Sequence, residues 1–302
     1  NLFFLYYCPR HEDQFMVSMV YNREIGVGYV LISNLIATLA KLGLLSGEIL
    51  SSFRTRIQWT MWLTIVKYSY PLLIAGLAGT VNEALDRVLL KHMIPPEDLP
   101  MEQLGVYGAN FKLAVLMTLF VQMFKYAAEP FFFSRSNEEN AKELYADIMQ
   151  IFVTTGLLIF LVVNLYMEYF ILFIGSGFRE GVQIVPIILM ANLIMGIFFN
   201  LSIWYKLTNR TLTGAFLVIC GAGITVGINV IFIPQYGYLA SACAHLICYT
   251  VMVLLSYLLS RKHYKIPYRV GRILFYVGIA LLIYVIYALF LHDVQRGRDL
   301  IS

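Results

Sequence analysis

Runs of about 18 to 25 apolar residues, broken by no more than one or two charges, recur along the whole chain. At 1.5 Å of rise per residue, a helix of that length crosses the hydrocarbon core of a bilayer. In lipid every backbone N–H and C=O must be satisfied within the segment, so such runs fold as helices. The chain therefore reads as all-α, a polytopic transmembrane helix bundle. Composition agrees: 60% of the 302 residues are hydrophobic and only 13% charged, which excludes a soluble enzyme.

Apolar length, punctuated by Gly, Pro and charge, predicts eight spans at about 27–50, 68–90, 106–133, 148–174, 182–205, 211–233, 239–259 and 273–291. The connecting loops alternate between two sides, and their basic residues separate unevenly. One side carries twelve: Arg54, Arg56, Lys67, Arg135, Lys142, Lys206, Arg210, Arg261, Lys262, Lys265, Arg269 and Arg272. The other carries six: Arg10, Arg23, Lys91, Arg179, Arg296 and Arg298. The richer side is expected to be cytoplasmic, with both ends of the chain periplasmic. The net charge of +4 thus encodes orientation rather than affinity for nucleic acid.

Several patterns carry no chemistry in this context. Cys8, Cys220, Cys243 and Cys248 form no C-x-x-C pair and read as small core residues. His11, His92, His245, His263 and His292 have no paired-ligand spacing, so no metal site is expected, and His245 reads as a hydrogen-bonded packing residue in an apolar helix. Gly175 to Gly181 joins two membrane helices and reads as a turn. Ser136-Asn137-Glu138-Glu139 has capping-box spacing and is expected to start a helix before the membrane. Asn1 is not an initiator methionine, Asn1 to Tyr7 is too short to span, and helices are expected to be missing at both ends.

Residues 196 to 215, with Ser202-Ile203-Trp204-Tyr205-Lys206 at their centre, closely resemble polysaccharide-biosynthesis flippases of Bacteroidetes-type bacteria, the lipopolysaccharide or O-antigen exporters of the Wzx type. The resemblance continues through Ile25 to Leu35, Tyr70 to Leu77, Val81 to Arg87, Leu104 to Asn110 and Ile233 to Tyr238. That family belongs to a larger group of multidrug, oligosaccharidyl-lipid and polysaccharide exporters, in which 12 to 14 helices form two lobes around a central cavity. The resemblance implies that residues 1–50 end an amino-terminal lobe, 51–67 are a cytoplasmic connector, and 68–302 are most of a carboxy-terminal lobe. It further implies a bacterial inner-membrane protein that flips a polyprenyl-pyrophosphate-linked oligosaccharide to the periplasmic leaflet, forming no covalent bond. Other polysaccharide-assembly membrane proteins are its possible partners, and no cofactor is implied beyond possible H+ or Na+ coupling.

Ionisable groups within spans cost roughly 2.5–3.5 kcal/mol at the bilayer centre, so they mark protein or water rather than lipid. Lys41 and Lys125 lie nine and eight residues from the inner ends of their spans, roughly 12 to 14 Å deep. On one reading they clamp a pyrophosphate in a shared cavity, with Arg87 and Lys112 as a second cationic level nearer the outside. On the other they snorkel, or Lys125 pairs with Glu129 four residues on. Glu83 can pair with Arg87, Asn82 and Asp86 form an adjoining stripe, and Glu83, Asp86 and Glu129 are the candidates for ion coupling. Asn192, Asn200 and Asn229 could contact sugar hydroxyls or bond between helices. Pro71, Pro130, Pro186, Gly221, Gly223 and Gly227 are the expected bending points. Three alternatives stay open: a drug or cation antiporter of the same fold, a structural lobe that does not act alone, and a membrane glycan polymerase or ligase. The last usually needs a large outer loop, and the longest complete one here has about 15 residues.

Overall fold

The computed structural model describes residues 3–11, 14, 17, 21–52, 58–95, 97 and 99–299. The side chains of Val81, Glu83 and residues 291–299 are among those outside the description, as are Arg54 and Arg56. Nine long helices carry the described fold: α1 (Tyr29–Ser52), α2 (Trp59–Met93), α3 (Pro100–Leu113), α4 (Val115–Ser134), α5 (Ala141–Leu165), α6 (Val185–Leu201), α7 (Thr211–Tyr236), α8 (Tyr238–His263) and α9 (Val270–Asp299). Among the described residues seven helical stretches are long and apolar enough to cross a membrane, or eight with α3 and α4 counted as one bent span. The expected all-α polytopic bundle is what the chain forms.

The contacts divide it into two compact units, Asn1–Thr64 and Ile65–Ser302. In the first, Phe4, Cys8, Val17 and Tyr29 make a small core at the start of α1. The α1 window that passes as a span buries none of its residues. The second unit holds one large core that runs through α2 to α9 and includes Leu90, Phe152, Ile188, Leu189, Trp204 and Cys248. A smaller cluster of Phe132, Tyr145, Ile203 and Ile266 closes one end.

Within this unit α7 and α8 form an antiparallel hairpin. Ser241 Oγ donates to Asn229 Oδ1 at 2.8 Å near the turn, and Gly221 packs against Cys248 and Met252 farther along. The turn is Gly237, at φ 54°, where a Cβ would lie 2.1 Å from Gln103 Oε1. Glycine satisfies both the backbone conformation and the lack of space. Trp204 is fully buried, donates its indole N–H to Ser256 Oγ at 3.2 Å and stacks on His263. This joins the short helix Ile203–Leu207 to α8.

Several local expectations change. The span at 106–133 is broken by 54° between α3 and α4, with no proline or glycine at the break. At Ala114 ψ reaches 5°, and its N–H bonds to Phe111 O, a tightened last turn. The cause is tertiary. Asn110 Nδ2 donates at 2.8 Å to Phe178 O in the 3-10 segment Ser176–Ile184, and Gly181 of that segment sits against Val106 and Asn110. This ties α3 to a neighbour that α4 does not follow. Gly175, read as a turn, is the extended residue opening that 3-10 segment.

The span at 148–174 starts earlier, at Ala141, and its α-helix ends at Leu165. The capping box before it does not form: Ser136 Oγ donates to Phe133 O, and Glu138 pairs with Arg135. Pro71 and Pro130 lie inside α2 and α4, whereas Pro186 stands in the first turn of α6, where a missing N–H breaks no bond. Cys8 and Cys248 are buried as expected of packing residues, whereas Cys220 and Cys243 are partly exposed.

Candidate functional site

Glu129 lies one residue before Pro130 on α4. Proline supplies no N–H to the preceding turn, so α4 runs on through Pro130 with one backbone hydrogen bond missing near this carboxylate. Four residues earlier Lys125 projects from the same face. From the opposite side comes Lys206, on the short helix that the buried Trp204 anchors. These three groups meet at a cavity of about 410 Å³ bounded by α2, α4, α6, α7 and α8, with Thr80, Tyr205 and Tyr249 also in its wall. A niche of about 20 Å³ shares Lys125, Glu129 and Lys206 and adds Asn200. That is room for about one water molecule.

Lys206 Nζ pairs with Glu129 Oε1 at 2.6 Å. Lys125 therefore does not pair with Glu129, as the four-residue spacing allowed; it lies over the Phe199 ring, 4.4 Å from the centroid. Lys206, which the sequence places among the cytoplasmic loop cations, is an interior group with a side chain only 15% exposed. With two lysines and one glutamate, the wall carries one positive charge in excess among the described residues. Asn200 is 1% exposed, and neither its Oδ1 nor its Nδ2 has a hydrogen-bond partner. Buried amides left unsatisfied are uncommon and costly, by about 1–3 kcal/mol.

The other candidates fall elsewhere. Arg87 and Lys112 line a second cavity, of about 490 Å³, with Gly105, Gly108 and Phe178, so the structure brings together the two cations expected at one level. Arg87 lies 5.2 Å from the centroid of the Phe111 ring. The Glu83 side chain, its proposed partner, lies outside the described residues. Lys41 is exposed on α1 in the first unit. Asn192 and Asn229 are buried and bond between helices, Asn192 to Thr118 Oγ1 at 3.1 Å and Asn229 to Ser241.

A third group was only half visible in the sequence. Asn82 and Asp86 do form an inward stripe on α2, at 3% and 0% exposure. Asp86 accepts hydrogen bonds from Tyr107 Oη at 2.5 Å and from the Arg87 backbone N–H at 2.7 Å. His245 Nε2 of α8 approaches Asp86 Oδ2 at 3.1 Å. The histidine read as a packing residue is hydrogen-bonded as expected, but to a buried carboxylate 159 positions away. Its other ring nitrogen faces Tyr249 Oη at 3.3 Å, and Tyr249 lines the cavity of about 410 Å³ that holds Lys125 and Lys206. In the sequence the stripe of Asn82 and Asp86 and a histidine in an apolar helix each marked part of this group, but their meeting could be found only in three dimensions. Among the described residues no cluster of His, Cys, Asp and Glu is placed to hold a metal ion.

No protein-family model and no curated protein matches the sequence. Among solved structures the chain is similar to one described as the outward-facing conformation of a multidrug resistance MATE family transporter of the MOP superfamily. The TM-score is 0.54 at 16% identity, over 67% of this chain and 45% of that one. The likeness is one of fold, and the chain spans less than half the length of the transporter it matches.

Proposed function

We propose that this chain is part of a membrane exporter that carries a lipid-linked oligosaccharide between leaflets, with the phosphate groups held at the Lys125 and Lys206 cavity. The observation that carries this reading is the unbalanced cation. Glu129 neutralises Lys206, while no carboxylate among the described residues pairs with Lys125. An uncompensated charge inside a membrane protein is costly, so the cavity favours an anion. Cation–π contact with Phe199 recovers about 0.5–2 kcal/mol, less than a charge-assisted bond to phosphate would. The unpartnered Asn200 amide beside the lysines suits a phosphate or sugar oxygen. The apolar wall of Leu72, Met195 and Phe198 suits a prenyl chain. Arg87 and Lys112 would meet the same phosphates at a second station. The inner membrane, with the chain ends on its outer side, is the location the loop charges favour.

Binding of a farnesyl-diphospho-N-acetylglucosamine diester to the chain in lipid nanodiscs tests this. Lys125→Gln is expected to weaken it about 10-fold to 100-fold, the worth of one hydrogen bond to a charged group. Unchanged affinity would defeat the reading. The likeness to a multidrug transporter favours a second reading, export of organic cations with Glu129 as the counter-charge. That reading predicts tight binding of tetraphenylphosphonium, strengthened by Lys125→Gln.

A further inference from the structure

We infer that Asp86, His245 and Tyr249 form a proton-binding site that strengthens anion binding in the adjoining cavity. The inference rests on the anion-site reading above and adds a regulator to it. Asp86 already accepts from Tyr107 and from a backbone N–H, and His245 Nε2 points at the same carboxylate, so the Nε2 position carries a proton toward it. The proton that can come and go belongs to Nδ1. With Nδ1 bare, the imidazole is neutral and accepts from the Tyr249 hydroxyl; with Nδ1 protonated, it donates to the same oxygen. A rotation of one hydroxyl hydrogen keeps both states hydrogen-bonded, and no heavy atom has to move.

Each state changes the charge beside the cavity. Ionised Asp86 with neutral His245 carries one negative charge, and with imidazolium it carries none. The group is 0% to 4% exposed, so water screens that change poorly. The neighbours that face it do not absorb the proton. From α2 come Arg87, a permanent cation, and the Asn82 amide, whose Nδ2 donates to Cys248 Sγ at 3.4 Å. From α3 comes the Tyr107 phenol, and from α8 come Tyr249 and the Cys248 thiol. Imidazole is the group among these that changes charge between about pH 5 and pH 8. Tyr249, shared by the histidine and the cavity wall, carries the electrostatic effect over a short path. Because one added positive charge attracts an anion, proton and anion bind with positive coupling, and linkage makes the effect reciprocal.

The probe must not titrate itself. A phosphate monoester gains charge near pH 6, whereas a diphosphate diester holds constant charge across the range. The affinity of the farnesyl-diphospho-N-acetylglucosamine diester for the full chain in nanodiscs is therefore measured from about pH 5.5 to 8.5. The wild-type protein is expected to bind it about tenfold more tightly at the acid end. His245→Gln, which can still donate to Asp86, is expected to bind with the wild-type affinity at the alkaline end and to show a flat profile. A flat wild-type profile, or an unchanged slope in His245→Gln, overturns the inference. If Lys125→Gln binds like wild type, or wild type does not bind, the anion-site reading itself fails and the inference falls with it. Weakening in Lys125→Gln with an unchanged slope in His245→Gln defeats the inference alone. Should His245→Gln not fold, histidine ring carbon resonances of the unaltered chain decide. At about pH 7 the His245 ring carbons are expected to move toward imidazolium shifts when the probe saturates the chain, because the anion and the proton bind with positive coupling. Ring-carbon shifts that stay in place overturn the inference.

Discussion

Gly196→Ala tests the packing that holds the cavity wall. Gly196 lies on α6 between Met195 and Phe198, both of which line the cavity. A Cβ there would stand 2.3 Å from Phe152 Cζ and 3.0 Å from both Phe152 Cε1 and Val121 Cγ2. Carbon atoms rest at about 3.5–4.0 Å, so the Phe152 ring would have to retreat by more than about 1 Å. It has nowhere to go. Phe120 stacks on it at 5.1 Å and Phe124 lies at 4.4 Å between centroids, while Phe152 itself is 1% exposed. Overpacking of this kind costs about 1–3 kcal/mol. The same substitution also adds helix propensity, up to about 1 kcal/mol, which could mask the effect. Gly223→Ala on α7 is the control, because nothing lies within 4 Å of its Cβ position. Subtracting the two removes the propensity contribution and leaves the overlap. Thermal unfolding of both variants in one detergent is expected to show Gly196→Ala melting roughly 2–12 °C below Gly223→Ala, at about 2–4 °C per kcal/mol. If the two melt together, α4, α5 and α6 do not pack as described.

Glu129→Gln should raise affinity for the diphosphate diester severalfold, because it releases Lys206 from its 2.6 Å partner; a loss of affinity would mean that the carboxylate assists binding. Asp86→Ala removes the common acceptor of Tyr107 and His245 in a fully buried position and should destabilise the chain by about 3–5 kcal/mol, measured by denaturation in mixed micelles. A loss below about 1 kcal/mol would show that the pair is not held as described. With Trp59 and Trp62 replaced by Phe, the remaining Trp204 should resist acrylamide, being 0% exposed against 68% and 47% for the other two; ready quenching would refute its burial.

The places where expectation and structure part share one property. Lys125 and Glu129 are correctly spaced to pair, yet Glu129 takes Lys206, 77 positions away, because the Trp204 anchor brings that lysine inward. The Ala114 break carries no proline or glycine to announce it, since it arises from the hold of Asn110 on Phe178. By contrast, the inward stripe of Asn82 and Asp86 was legible, because a polar stripe on an apolar helix has few places to face other than protein.

What the residues determine alone is therefore the class of fold. An apolar run of bilayer length becomes a helix wherever it stands, because unsatisfied backbone in hydrocarbon is too costly, and this holds span by span without reference to partners. Which ionised groups meet is decided only in three dimensions. The approach of His245 to Asp86, and of Lys206 to Glu129, depends on how α2, α4, α6 and α8 pack, and the energy of a charge pair depends on distances that no local spacing encodes.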